Sequence, residues 1–337
     1  MMKTIARISA VLAKLICGVL LLALLSSSGR TSQPPTGQRV LNVGMLLARG
    51  GLGDRSFNDS AYEGLQEAQK KLAIRFETAD FTSDEANLEA LRRFARQEYN
   101  LIIGIGFENA AYIKTVAKEF PDRNFAIIDV VAEGDNVVSI VYREQEGDFL
   151  MGVLAAMLTK SKKVGFIGGI DIPIIRRIEG GFKQGVEYQD SSVRVVSDLA
   201  GTFTDPEVGK SLALAQYETG VDLIDNAAGR TGLGIIEAAK ETGKLTIGTS
   251  GKQRYLSPGN VVDNRPKRVD TAVLMLVNEV KNDLFTAGTR SLGLKEEGLS
   301  LGPFDENLVT GSMLEQLELL KQQIITGEII VEVVSEG

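Results

Sequence analysis

The stretch GLGDRSFNDSAYEGL, Gly51 to Leu65, follows directly on an apolar run, VLNVGMLL from Val40 to Leu47, and leads into a helical pattern. A strand, a polar glycine-rich loop and a helix in that order form the repeating unit of an open parallel sheet, and ligands of such sheets bind in the loops at the carboxyl ends of the strands. This loop carries more than turn formers, since it holds Asp54 and an exposed-looking pair, Phe57 and Asn58. The unit recurs. IRFETAD is followed by EANLEALRRFARQEY, LIIGIG by AAYIKTVAKEF, and FAIIDVV by VVSIVYR. After the helical EGDFLMGVLAAMLTK a second series runs through KVGFIGG, IIRRIEGGFKQGVEY, VRVVSDLAG, DPEVGKSLALAQYETG, VDLIDNAA, GLGIIEAAKETG and KLTIGTS. The alternation predicts an α/β fold of two lobes, each a doubly wound parallel sheet with helices on both faces.

With 337 residues the chain is long for one core and suits two domains of about 150 residues each. The lobes are expected over 39–148 plus about 247–290, and over 149–246 plus about 291–337. A long helix in KRVDTAVLMLVNEVKNDLF and the terminal DENLVTGSMLEQLELLKQQIITGE with IIVEVVS are expected to return and complete them. Two such lobes leave a cleft between the carboxyl ends of their sheets, a common place for a small ligand.

Composition narrows the chemistry. A formal charge of −7, with no Lys/Arg cluster, gives no attraction to nucleic acid. The chain has no histidine and a single cysteine, Cys17, which removes the usual transition-metal ligands, Cys/His nucleophile pairs and disulfides. No metal or cofactor is expected, and any catalysis would rest on carboxylates, Lys, Ser or Tyr.

Residues 1–28 read as a signal peptide: Lys3, Arg7 and Lys14 precede the apolar LICGVLLLALL, Leu15 to Leu25, and small residues follow. Cleavage is expected between Ser28 and Ser32, and the mature protein is expected in the periplasm or on the outer face of the cytoplasmic membrane. A retained N-terminal anchor is the alternative. Cys17 lies inside the apolar run, a poor position for an acylated first residue. Residues 29–38, with Pro34 and Pro35 among Ser, Thr, Gly and Gln, read as a linker.

The loop ends are polar and glycine-rich: GGLGDRSFND, Asp129 after FAII, GGIDIPIIRR, AGTFTDP, NAAGRTGLG and GTSGKQ. Phe57 and Phe203 stand in corresponding loops of the two halves. Facing one another across a cleft they would clamp a flat ring; otherwise each packs under its own loop. AAGRTGLG matches a GxGxxG phosphate loop only loosely, and a tight turn before the next helix explains it.

GDRSFNDSAYEGL, GFIGGIDIPIIRRIEGGFKQGV, GTFTDPEVGKSLALAQYETG, AAGRTGLGIIEAAKETG and the PGN...KRVD segment together resemble the basic membrane protein family of bacterial extracytoplasmic solute-binding lipoproteins. The resemblance runs in order from about Val43 to Asp270. It implies a two-lobed periplasmic-binding-protein fold of the ribose-binding type, serving an ABC importer as a monomer beside permease subunits, with a purine nucleoside or base as ligand. It further implies that Phe57 and Phe203 stack on the base, that Asn58 and Asp129 read its edge, and that Gly229 and Lys267 approach the ribose.

The chain departs from the family pattern where the sugar would lie. LLARGGLGDRSFN puts Ala48 where an aspartate is usual, and GTSGKQ puts Ser250 and Lys252 at two more carboxylate positions. A charged hydrogen bond contributes about 1.5–3 kcal/mol, so losing several weakens a nucleoside unless other groups replace them. With Arg49, Lys252 and Lys267 nearby, the sugar end is expected to have gained positive character, which suits a free base, a nucleotide-like anion or another acidic ring better than an ordinary nucleoside. SSSGR stands where the family places its acylation site. A solute receptor is the reading favoured over an enzyme acting on a nucleoside, because no base and nucleophile pair can be read from the spacing of Asp54, Asp129 and Asp171. A surface adhesin or signalling protein with a diverged cleft is a further alternative.

Overall fold

The structure is a computed structural model that describes residues 40–249, 252–264 and 267–333. The expected signal peptide and linker, Cys17 and Ser250 lie outside the described residues. From Val40 on, the chain alternates strand and helix: β1 Leu41–Leu46, α1 Phe57–Leu72, β2 Ile74–Ala79, α2 Asp84–Arg96, β3 Leu101–Ile105, α3 Ala110–Glu119, β4 Phe125–Ile128 and β5 Val137–Tyr142. The second series is α4 Glu144–Leu158, β6 Lys163–Gly168, α5 Pro173–Gln189, β7 Arg194–Leu199, α6 Pro206–Glu218, β8 Leu223–Ala227, α7 Gly232–Thr242 and β9 Leu245–Gly248. The chain then adds β10 Val261–Asn264, α8 Val269–Lys281, β11 Gly288–Leu292 and α9 Gly311–Thr326.

The strands form two sheets, in the orders β11-β5-β4-β3-β1-β2 and β10-β9-β8-β6-β7, and every pair is parallel. Each is a doubly wound sheet whose strand order reverses once, between β1 and β3 in one lobe and between β6 and β8 in the other. Burial follows position. β3, β4 and β8 are buried along their whole length, β3 and β4 as continuous apolar or small-residue runs and β8 with Asp225 and Asn226 inside, whereas the edge strands β2 and β7 are mostly half-buried.

Strand membership differs from the boundaries drawn from the sequence. Val261–Asn264 pairs with β9 in the second sheet, not the first lobe, and Gly288–Leu292 pairs with β5 in the first sheet, extending that lobe past 290. Both segments escape a pattern reading because VVDN is only four residues long and GTRSL is a polar edge strand. The terminal IIVEVV region shows no strand through residue 333; instead the side chain of Gln184 on α5 donates to the Glu332 carbonyl at 2.8 Å and accepts its N–H at 2.9 Å.

The chain crosses between lobes three times: at Arg143, between β10 and α8, and from β11 towards α9. The crossings are stitched together, since Lys267 forms an antiparallel bridge with Leu299 and the N–H of Arg268 donates to the carbonyl of Gly298 at 2.9 Å. Behind the first crossing α4 and α5 meet closely, a Cβ at Gly185 falling 1.9 Å from the Phe149 carbonyl oxygen, so only glycine fits there. Among the described residues no helix is long and apolar enough to cross a membrane.

Candidate functional site

The loop after β1 is knotted by its carboxylate. One oxygen of Asp54 accepts the N–H groups of Ser56 at 2.8 Å and Asp59 at 3.2 Å; the other accepts the N–H of Asn58 at 2.9 Å and its side-chain amide at 3.1 Å. These are N–H groups at the start of α1 that have no partner within the helix, so Asp54 caps it and fixes Phe57 as its first residue. Asn58, 2% exposed, accepts the N–H of Ala48 at 2.8 Å. Its amide therefore keeps one N–H and one lone pair for the cleft.

Ala48, Phe57, Asn58, Asp129, Phe203, Gly229 and Lys267 all line one cavity of about 390 Å³. Its volume lies within the usual range for small-molecule sites. The cavity sits where both strand orders reverse, Ala48 and Gly106 following β1 and β3, and Ala227 ending β8. Phe57 comes from the first lobe and Phe203 from the loop before α6 in the second, and both rings are partly exposed. Phe203 rests on Gly169, where a Cβ would lie 2.0 Å from its Cε1, and on Gly229, where a Cβ would lie 3.4 Å from its Cδ1. Gly169→Ala should therefore displace the ring without touching the core. Any ligand that stacks on Phe203 should then bind about 5-fold or more weakly with an unchanged melting temperature, as calorimetry and thermal unfolding would show.

Asp129 follows β4 with a φ of 96°, a left-handed conformation that costs a non-glycine residue about 1–3 kcal/mol. Its carboxylate accepts from the Lys267 ammonium at 2.8 Å, and that ammonium also lies 3.0 Å from Glu144, which accepts from Arg177 Nε at 2.8 Å through its other oxygen. The Lys267 ammonium sits 5.6 Å from the centre of the Phe57 ring and 5.1 Å from that of Tyr142. Burial pushes Asp129 above the usual aspartate range, with Lys267 pulling against it. Burial also acts on Glu144, but the two cations beside it outweigh that effect and hold it low. Lys267 is raised, its two carboxylate partners outweighing desolvation.

Among the described residues, the cations expected to make one end of the cleft positive are each held by a partner. Lys267 is held by Asp129 and Glu144, Lys252 pairs with Glu63, and exposed Arg49 lies 4.6 Å over the ring of Phe81. Around the described lining, seven carboxylates (Asp54, Glu63, Glu108, Asp129, Glu144, Asp148, Asp270) stand against five basic groups (Arg49, Arg230, Lys252, Lys267, Arg268). The sequence reading missed Glu108 altogether. A Cβ on Gly106 would lie 2.9 Å from both the Ala48 methyl and a Glu108 carboxylate oxygen, so this carboxylate stands beside Ala48. The apolar wall carries no such signal either: the helix IIRRIEGGFKQGVEY is expected from the sequence, but not that Ile174, Ile175 and Ile178 of α5 line the cavity.

The lobes touch across the cleft mouth. Ser56 Oγ and Thr249 Oγ1 are 2.8 Å apart, Lys252 reaches Glu63 on α1, and a Cβ on Gly50 would lie 3.3 Å from the Thr204 methyl.

Residues 41–335 match the Bmp family model, described as ABC transporter substrate-binding protein PnrA-like. The chain is 34% identical over 329 residues to the CD4+ T-cell-stimulating antigen of Listeria innocua, covering 90% of this chain and 91% of that protein. It is 33% identical to basic membrane protein A of Borreliella burgdorferi, covering 91% of each. Among solved structures, an ABC transporter solute-binding protein from Aeropyrum pernix superposes with a TM-score of 0.81 at 30% identity, covering 88% of this chain and 94% of that one. One from Conexibacter woesei shares the fold, with a TM-score of 0.75 at 20% identity, covering 88% of this chain and 100% of that one. The chain thus belongs to the Bmp family of PnrA-like ABC transporter substrate-binding proteins, with the type I periplasmic-binding fold.

Proposed function

We propose that this protein is the receptor of an ABC importer for a neutral purine nucleoside or free purine base, binding it without turnover as a monomer and delivering it to permease subunits. The observation that carries the reading is the placement of Phe57 and Phe203, one from each lobe, on a single cavity at the two switch points. Rings so placed stack on a flat heterocycle at about 1–3 kcal/mol for each face. In this reading the remaining amide valences of Asn58 and the Asp129 carboxylate meet the base edge, and Gly229 and Lys267 approach the sugar. Glu108 supplies beside Ala48 the hydroxyl acceptor that Ala48 lacks.

The excess of carboxylates among the described lining residues opposes a phosphate group, so the nucleotide-like anion that the sequence allows is disfavoured. Calorimetry with guanosine, inosine, their free bases and their 5′-monophosphates tests this. The expected result is 1:1 binding of a nucleoside or base, recovered unchanged, with the monophosphate at least about 10-fold weaker. Preferred binding of the monophosphate, or release of a product, would overturn the reading.

A further inference from the structure

Four charged side chains run in line through the hinge. Asp129 follows a central strand of the first sheet, Lys267 stands on the second crossing, Glu144 opens α4 just past the first crossing, and Arg177 belongs to α5 of the second lobe. The links are 2.8, 3.0 and 2.8 Å, and the side chains are 11%, 17%, 2% and 22% exposed in that order. The chain of charges joins the one strained residue of the cleft that also bears a carboxylate, Asp129, to the helix that supplies the cleft's isoleucine wall. Arg177 itself does not line the cavity, although its neighbour Ile178 does.

We propose that Arg177 is a positioning residue: acting through Glu144 and Lys267 it fixes the Asp129 carboxylate and, with it, the angle between the lobes. Buried, hydrogen-bonded charges have one good geometry, and replacing either neighbour leaves the next without its counter-ion. With Arg177 gone, Glu144 holds Lys267 alone and the ammonium is drawn from Asp129. The mouth pair Glu63 and Lys252 is different in kind, since its side chains are 38% and 55% exposed and such pairs contribute little.

The effect on ligand affinity rests on the purine reading; the effect on the lobe angle does not. Spin labels on Glu98→Cys and Lys240→Cys, both exposed and one in each lobe, report the angle in ligand-free protein when Cys17 is replaced by Ser. Arg177→Gln should broaden or shift the inter-label distance distribution, Arg177→Lys should restore most of it, and Lys114→Ala, which breaks an exposed pair with Glu133 within the first lobe, should leave it unchanged. With guanosine as probe, Arg177→Gln should weaken binding by about 10-fold, but by less than about 2-fold in an Asp129→Asn background, because the effect travels through Asp129. A lowered melting temperature with distances unaltered would overturn the proposal. So would an affinity loss equal in both backgrounds. If wild type binds no purine, the purine reading fails and the distances alone decide this one.

Discussion

Replacing Lys267 with methionine should lower the unfolding free energy by about 3–5 kcal/mol at pH 7.5, because two buried carboxylates lose the cation they share. Methionine keeps the length and apolar body of the side chain, so the loss is electrostatic. The deficit should depend on pH with a definite sign. In the wild type burial already raises Asp129, and Lys267, with a smaller pull from Arg177, works against that; without Lys267 its folded-state pKa climbs further. A carboxyl raised in the folded state supports folding below its unfolded pKa and loses that support as pH rises through the folded value. Glu144 acts in the same sense, since it gives up one of the two cations that lower it. The difference from wild type should therefore shrink on acidification from pH 7.5 to 5 and grow again on the return. Adding Asp129→Asn should recover part of the stability. Denaturant unfolding of the three proteins at both pH values decides it, and equal deficits at pH 5 and 7.5 would contradict the charge chain described for the hinge.

Much of the fold was legible because each βα unit announces itself locally. LNVGML is an apolar run ended by a glycine-rich loop, and DEANLEALRRFAR opens with acidic residues and closes with basic ones, so strand and helix need no tertiary information to be recognised. The elements that were misassigned lack such signals. β11 is exposed along most of its length and holds its place by pairing with β5, and β10 owes its lobe to a neighbour, β9, that periodicity does not name.

The site divides in the same way. Residues with an unusual type for a loop, such as Phe57 and Phe203, stand out in the sequence. Residues that matter through proximity do not: Gly169 looks like any strand-end glycine, Glu108 like any charge before a helix, and Arg177 like one of two adjacent arginines. The sequence likewise suggested loose cations at Arg49, Lys252 and Lys267, because it shows charges without their partners. Asp54 reverses the case, since a loop carboxylate that looks available to a ligand is occupied in capping α1.

The second large effect concerns the two aromatics. If both stack on the ligand ring, Phe57→Ala and Phe203→Ala should each weaken binding by about 1–3 kcal/mol, or about 5- to 150-fold, and leave thermal stability nearly unchanged. If instead each ring serves only to pack its loop, truncation should lower stability by about 3–5 kcal/mol and leave affinity alone. Partial exposure of both rings on a shared cavity favours the first outcome. The most direct measurement is a calorimetric titration of a purine nucleoside into wild type, each single variant and the double variant, with melting temperatures taken on the same samples. The wild type should show one site per chain, weakened by either substitution and abolished by both, at constant stability. A double variant that melts like wild type and binds the nucleoside as tightly would contradict it.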